Sequence, residues 1–194
     1  MARTAAKDHD EKRVAMRKMA ATFFAEHGYD RASMTDLARA CGVSKGLIYH
    51  YYASKEDLLA DIIEAHLIEL REALVGGPET GEARLRWLIR TILLTYRGKD
   101  AEHQLQINNL AVLPEPKQAL IRAVQRGIVS DVSAALCDAR PGLFDDDEKR
   151  LRAVSMSLFG MVNWFYLWHR DGRDVRREDY AEMVADMVLG GLGA

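Results

Sequence analysis

Apolar side chains recur along this chain at spacings of three and four residues, the period of an amphipathic helix. The first such stripe consists of Met16, Met19, Ala20, Phe23 and Phe24. The alternation of apolar and polar residues that marks a half-buried strand is almost absent. We therefore predict an all-α fold. Glycines and prolines divide the pattern into nine predicted helices: one that ends before Gly28, and others at about 34–41, 45–51, 54–74, 81–97, 101–112, 116–139, 145–170 and 177–190.

Three serines stand where the second, third and fourth helices are predicted to begin. Ser33 and Ser54 are each followed three residues later by an aspartate, as in a capping box, and Ser44 can cap the third helix. Gly42 lies between the second and third helices, where a residue without a Cβ permits a sharp exit. Two short helices joined by such a turn form a helix-turn-helix. The residues predicted to pack the motif internally are Leu37, Ala38, Val43, Ile48 and Tyr52.

Four runs of residues resemble, in order, spacing and residue type, the N-terminal signature of TetR-family transcriptional regulators: 20–30, 33–38, 42–52 and 54–59. The resemblance implies a helix-turn-helix DNA-binding head over 10–70, with the motif itself at 33–52. It also implies a C-terminal helical ligand-binding and dimerisation body over 78–194. Such a protein is a ligand-responsive repressor, not an enzyme, and binds a palindromic double-stranded DNA operator as a homodimer.

The resemblance, set against the chemistry of DNA, also implies which side chains contact the duplex. A helix start with a hydroxyl and free backbone N–H groups suits a phosphate, a lysine suits a phosphate or a guanine edge, and a glycine permits close approach. For Lys55 a second interpretation stays open, that of a solvated surface lysine. The predicted DNA-contacting residues are Thr35, Ser44, Lys45, Gly46, Tyr49, His50, Tyr51 and Lys55.

Charge and composition narrow the class of protein. The formal net charge of −2 combines a slightly basic segment up to residue 60 with an acidic remainder, which is consistent with a polyanion partner at the N-terminal end. Cys41 and Cys137 lie far apart, which favours a reduced cytoplasmic protein. The most apolar stretch, 158–168, contains Asn163 and is shorter than the roughly 18 residues of a membrane span, and a signal peptide is not indicated. We expect a cytoplasmic protein without a membrane partner.

Motifs of catalysis and metal binding are missing from the sequence. The six histidines form no pair at the three- or four-residue spacing that would place two ligands on one helix face. A Ser-His-Asp signature, a P-loop and a GxGxxG motif are likewise absent. We predict no catalytic residue, no metal ion and no cofactor.

Residues 151–168 are apolar on nearly every side of their predicted helix. A surface helix shows one apolar stripe, so this helix is expected to be buried on two sides, the second by a partner subunit. In the TetR family the last two helices pair with their copies, which implies a homodimer. Burial of these helices against each other in a monomer remains the alternative. The last helix adds a stripe at Tyr180, Met183, Val184, Met187 and Val188.

The run 160–164, followed by Trp168 and Gly172, resembles the C-terminal helix of TetR-type regulators that respond to acyl-coenzyme A thioesters from fatty-acid or aromatic-acid breakdown. The resemblance implies tryptophan stacking on adenine, arginines on phosphates and an apolar acyl pocket. Tryptophan and methionine at helical spacing also fit a dimer interface. A repressor that senses drugs or other hydrophobic ligands, and a ligand-independent DNA-binding factor, stay open as alternatives. The implied ligand-binding residues are Phe159, Asn163, Trp164, Trp168, Arg90, Arg97, Ile107 and Leu110.

Overall fold

Helices form the regular structure in the computed structural model, which describes residues 2–192, with side chains from His9 onward. No strand occurs in that range, so the predicted all-α fold is confirmed. None of its helices combines the length and apolar composition that crossing a membrane requires. A 3-10 turn at Leu110–Val112 follows the sixth helix. The α-helices of the described range are α1 (Ala2–His27), α2 (Met34–Ala40), α3 (Lys45–Tyr51), α4 (Lys55–Ala73), α5 (Gly81–Thr95), α6 (Asp100–Asn109), α7 (Glu115–Ala139), α8 (Glu148–Asn163), α9 (Phe165–Trp168) and α10 (Arg177–Gly191).

The predicted starts of α2, α3 and α4 are confirmed at all three serines. In each case the serine Oγ accepts a hydrogen bond from the backbone N–H three residues later, at 3.0 Å for Ser33, 3.1 Å for Ser44 and 3.0 Å for Ser54. Each bond satisfies one of the N–H groups that a helix start leaves without an intrahelical acceptor. The sequence therefore determines where the short helices of the N-terminal region begin.

The single helix predicted over 145–170 is wrong. Helix α8 ends at Asn163, and the short helix α9 begins after Trp164. Beyond this break the buried Phe165 ring lies 4.7 Å from the Tyr180 ring of α10, centroid to centroid. Such a tertiary contact overrides the helical preference of the local sequence, and the periodicity of one segment does not encode it.

The described residues form two compact units. The N-terminal unit comprises the residues up to Leu67 together with Lys99–Ile121, and the C-terminal unit comprises the remainder. Within the N-terminal unit, α1 packs against both α6 and α2. The segment 99–121 thus groups with the head helices, whereas the sequence-based boundaries placed it in the C-terminal body.

The core of the N-terminal unit draws a buried apolar side chain from each head helix: Phe24 from α1, Leu37 from α2, Ile48 from α3 and Leu58 from α4. Full burial of a side chain of this size contributes about 1.5–3 kcal/mol to folding. The burial of Ile48, Leu37, Ala38 and Tyr52 confirms their predicted packing role, and Val43 is half-buried.

In the C-terminal unit α10 packs mainly against α5. Leu85 and Ile92 of α5 and Val184 of α10 are fully buried. Arg86 of α5 adds ion pairs to two carboxylates of α10, Glu182 at 3.2 Å and Asp186 at 2.6 Å. The register between these two helices is therefore set by apolar burial and by one bridging guanidinium.

Candidate nucleic-acid interface

The turn between α2 and α3 depends on Gly42. Its φ of +65° lies in the left-handed region that favours glycine. No heavy atom would lie within 4 Å of a Cβ at this position, so the backbone conformation rather than crowding requires the glycine. The next N–H, that of Val43, donates a hydrogen bond to Ala38 O at 3.0 Å and closes the turn. Helices α2 and α3 thereby form the predicted helix-turn-helix.

Helix α3 buries one side and exposes the other. Ile48 is fully buried, whereas Lys45, Gly46, Tyr49 and His50 are exposed. The Lys45 Nζ lies 5.5 Å from the centroid of the Tyr49 ring, within cation–π range. This side of the helix therefore combines a cation, a phenolic hydroxyl, an imidazole and a glycine gap, which are groups suited to phosphates and base edges.

The start of α3 suits an anion better than the start of α2. Helix α3 has no acidic residue in its first turn, so the partial positive charge of its N-terminus is not offset there, and Lys45 adds a full charge. The exposed Thr35 of α2 has Asp36 beside it, and a hydrogen bond from Ser33 together with the charge of Arg39 lowers the pKa of Asp36. That carboxylate stays ionised and weakens the attraction of a phosphate to Thr35.

Lys55, at the start of α4, is held by the protein itself. Its Nζ donates hydrogen bonds to Tyr29 O at 2.9 Å and Ala32 O at 3.0 Å, and lies 4.2 Å from the Tyr29 ring centroid. Sequence reasoning missed this intramolecular role. The available signal is that a cation at a helix N-terminus opposes the helix dipole and so calls for a compensating partner.

A carboxylate on α4, Asp61, joins three parts of the head. Arg13 of α1 donates to it at 2.5 and 3.1 Å, Arg17 of α1 at 3.3 and 3.4 Å, and the Tyr52 hydroxyl at 2.6 Å. The Asp61 side chain is only 13% exposed. Asp61 and its two arginines were also missed from the sequence, because nothing in the local pattern pairs residues on different helices. Their network fixes the orientation of α3, since Tyr52 directly follows that helix.

Tyr51, the last residue of α3, is half-buried. Its ring centroid lies 4.6 Å from that of His9 on α1 and 5.3 Å from that of His50. The predicted DNA-contacting side chains thus all belong to the N-terminal unit, and five of them, Ser44, Lys45, Gly46, Tyr49 and His50, are exposed at or on α3.

The predicted ligand-binding residues divide between the two units. Ile107 and Leu110 are half-buried in the N-terminal unit, and the other six lie in the C-terminal unit. There Phe159 is buried, while Trp164 and Trp168 are 50% and 45% exposed. Asn163, at the end of α8, is half-buried.

The two predicted phosphate-binding arginines, Arg90 of α5 and Arg97 just beyond the end of α5, interact with acidic groups on α10. Arg97 donates to the Glu178 carboxylate at 2.7 Å, and this hydrogen bond lowers the pKa of Glu178. The pKa of Asp179 is lowered mainly by Arg176 and also by the charge of Arg90. A phosphate at either arginine would have to compete with these carboxylates.

Two family models match the chain. The first, described as bacterial regulatory proteins of the tetR family, matches residues 18–62. The second, described as the tetracyclin repressor-like C-terminal domain, matches residues 78–192, more than half of the chain. The chain belongs to the TetR family.

Solved and curated proteins resemble this TetR-family chain along nearly its whole length. The HTH-type transcriptional repressor KstR2 of Rhodococcus jostii (strain RHA1) is 25% identical, over 94% of this chain and 92% of that protein. A TetR-family regulator from Bordetella parapertussis 12822 is 31% identical with a TM-score of 0.84, over 91% and 93% of the two chains. AibR, solved in complex with isovaleryl coenzyme A and operator DNA, is 25% identical with a TM-score of 0.77, over 90% and 96%.

The predicted membership and the predicted absence of enzymatic function are confirmed by these relatives. This TetR-family protein is a DNA-binding transcriptional regulator, not an enzyme.

Proposed function

We propose that this TetR-family regulator represses transcription as a homodimer bound to a palindromic operator, and that an acyl-coenzyme A thioester releases it. The observation that carries the proposal is the exposed side of α3, where Lys45 and Tyr49 lie beside a helix start without an acidic residue. A dimer of such heads reads two half-sites about 34–36 Å apart, or a multiple of that distance.

The proposed DNA contacts are those predicted from the sequence, with roles refined by their surroundings. Lys45 reaches a guanine edge or a phosphate, and Gly46 permits close approach of α3 to the DNA groove. The Ser44 Oγ caps α3 as an acceptor, so its hydroxyl proton is still available for donation to a phosphate. Thr35 makes the weaker contact because Asp36 lies beside it. Lys55, with two of its three donors on backbone carbonyls, has one N–H for a phosphate. Tyr49, His50 and Tyr51 complete the proposed set of contacts.

A second copy of this chain is the proposed partner of the exposed apolar side chains in the C-terminal unit. One lies on α8, one between α8 and α9, two on α9 and two on α10, and exposed apolar patches mark protein interfaces. The two on α10, Met183 and Met187, are four residues apart and therefore share one face of that helix. The exposed side chains are Met156, Trp164, Leu167, Trp168, Met183 and Met187.

The effector class is supported by chemistry and by one relative. AibR, solved with isovaleryl coenzyme A and operator DNA, matches 90% of the length of this chain. A thioester offers an adenine to stack, amides for Asn163 and phosphates for Arg90 or Arg97, whereas a free acid offers a carboxylate and a tail. Phe159 is the proposed acyl contact of the C-terminal unit, and Ile107 and Leu110 stay sequence-based predictions in the N-terminal unit. Trp164 and Trp168 are candidates for both the interface and adenine stacking.

A gel-shift panel tests the effector. The DNA is the duplex that the wild-type protein selects from a random-sequence pool, and the additions are free acids, coenzyme A alone, and short, long and aryl thioesters. We expect release by at least one thioester and none by its free acid. If every thioester leaves the complex intact while an unrelated hydrophobic drug dissolves it, the protein is a drug-sensing repressor instead.

Trp164→Ala separates the two roles of that tryptophan. Loss of the dimer in sedimentation, with the thioester response of the remaining complex unchanged, assigns Trp164 to the interface. A retained dimer with a weaker thioester response assigns it to the effector site. Val75→Ala is the matched control, since Val75 is 77% exposed and lies outside α8, α9 and α10.

A further inference from the structure

Three aromatic rings meet at the C-terminal end of α3. The His9 ring of α1 lies tilted by 35° on Tyr51, with 4.6 Å between centroids. The His50 ring stands edge-on to Tyr51 at 5.3 Å and 89°, and lies 6.3 Å from His9. Two of these three residues are proposed DNA contacts, and the third comes from a helix outside the helix-turn-helix.

We propose that His9 is a positioning residue of the DNA interface, whose ring holds Tyr51 in the conformation that meets a phosphate. The inference rests on the proposed DNA contact of Tyr51. His9 precedes Arg13 by one helical turn, and Arg13 is bound to Asp61 of α4 at 2.5 Å. The network that fixes α3 therefore also fixes the place from which His9 reaches Tyr51.

The geometry favours holding a ring over a direct contact of His9 with DNA. The His9 Nδ1 lies 3.8 Å from the Asp10 carboxylate, which is 80% exposed and would repel an approaching phosphate. Tyr51 lies instead on α3, the helix proposed to enter the DNA major groove. Its half-buried ring needs a neighbouring ring to stay ordered in the DNA-free protein. Tyr51 also lines a shallow groove on the protein surface, whose charged residues are Arg13, Asp57, Asp61, Glu64 and Lys117.

Ordering one side chain before binding removes the cost of ordering it on binding. For a single aromatic residue this corresponds to an affinity change of about threefold to tenfold. Removal of the His9 ring is expected to weaken DNA binding by that factor. Because no phosphate contact is lost, the dependence of affinity on salt concentration should keep its slope.

A double-mutant cycle tests the proposal on the selected duplex by fluorescence anisotropy. The variants are His9→Ala, His9→Phe, Tyr51→Ala and the combination of His9→Ala with Tyr51→Ala, each checked by thermal melting. His27→Ala is the matched control, because His27 also lies on α1 and stacks on a neighbouring ring, that of Phe23, at 4.4 Å. Tyr51→Phe keeps the ring and serves if Tyr51→Ala does not fold.

The proposal expects weaker binding by His9→Ala, recovery in His9→Phe, and no further loss from His9→Ala when Tyr51 is already alanine. In the Tyr51→Phe background, which lacks the hydroxyl that would meet the phosphate, it likewise expects no further loss from His9→Ala. It is overturned if His9→Ala binds as the wild type does, if His9→Phe is as weak as His9→Ala, or if the salt slope falls. A Tyr51→Ala variant with wild-type affinity would instead refute the proposed DNA contact of Tyr51, and the positioning role with it.

Discussion

The Tyr52 hydroxyl donates a hydrogen bond of 2.6 Å to the Asp61 carboxylate and so ties the residue after α3 to α4. Burial, followed by this hydrogen bond, raises the pKa of Tyr52, so the hydroxyl keeps its proton and remains a donor at any physiological pH. The same carboxylate accepts hydrogen bonds from Arg13 and Arg17 of α1. The angle at which the head presents α3 therefore depends on one acidic side chain.

Replacement of Asp61 by asparagine should destabilise the protein, because Arg13, Arg17 and Tyr52 lose a charged hydrogen-bond acceptor that is largely shielded from solvent. We expect a decrease of about 2–3 kcal/mol in the free energy of unfolding, and a smaller decrease of about 1–2 kcal/mol for Tyr52→Phe. Urea denaturation followed by circular dichroism measures both. Tyr49→Phe is the control, since Tyr49 is exposed on α3, the helix that Tyr52 directly follows. A Tyr52→Phe variant as stable as Tyr49→Phe would contradict a stabilising hydrogen bond between Tyr52 and Asp61.

Lys45 and Lys55 should differ in what they contribute, although both lie near the start of a helix. Lys45→Ala is expected to leave stability unchanged and to lower the log–log salt slope of DNA binding by about one. Lys55→Ala is expected to lower the free energy of unfolding by about 2 kcal/mol, because its two backbone acceptors lose a charged donor. If Lys55 also meets a phosphate, its salt slope falls by about one too. An undiminished stability in Lys55→Ala would show that its internal hydrogen bonds contribute little.

The buried histidine of α4 should make stability fall at acidic pH. Burial, together with the charges of His103 and Lys99, lowers the pKa of His66 to about 3. An unfolded histidine titrates near 6.5, so between pH 6.5 and 3 the unfolded chain binds a proton that the folded chain does not. Stability is therefore full above pH 6.5 and falls below it by up to about 1.4 kcal/mol per pH unit.

His66→Gln removes the titrating side chain. The decrease in the free energy of unfolding between pH 7 and pH 5 should therefore be about 1–2 kcal/mol smaller than in the wild type. Urea midpoints at each pH measure the difference. His27→Gln is the control, since His27 is exposed on α1. Parallel pH profiles for the wild type and His66→Gln would show that His66 does not titrate in this way.

Two adjacent glycines in the C-terminal unit should respond differently to alanine. Both have a left-handed backbone, with φ of +85° at Gly76 and +79° at Gly77. A Cβ at Gly77 would lie 2.5 Å from Trp87 ring atoms, whereas a Cβ at Gly76 would meet nothing within 4 Å. Gly76→Ala therefore carries backbone strain alone, about 1–2 kcal/mol, and Gly77→Ala adds about 1–3 kcal/mol of overpacking. Equal melting temperatures for the two variants would rule out the close approach to Trp87.

Local rules predicted the elements of the head, and tertiary contacts account for what they missed. The caps at Ser33, Ser44 and Ser54 and the burial of Ile48 follow from residue type and spacing within one turn of helix. The role of Asp61 could not be predicted from such local patterns, because its hydrogen-bond donors lie on α1 and directly after α3. The break at Trp164 depends in the same way on a contact between α9 and α10, which no helical periodicity reports.

Recognition of an operator by paired α3 helices is tested most directly by the duplex that the protein selects from a random-sequence pool and by the stoichiometry of that complex in sedimentation. The proposed mode of binding predicts an inverted repeat with half-site centres about 34–36 Å apart, or a multiple, and one dimer or more on each duplex. Lys45→Ala should reduce the enrichment of that repeat. A monomer bound tightly to a lone half-site, or a pool without any enriched sequence, would contradict it.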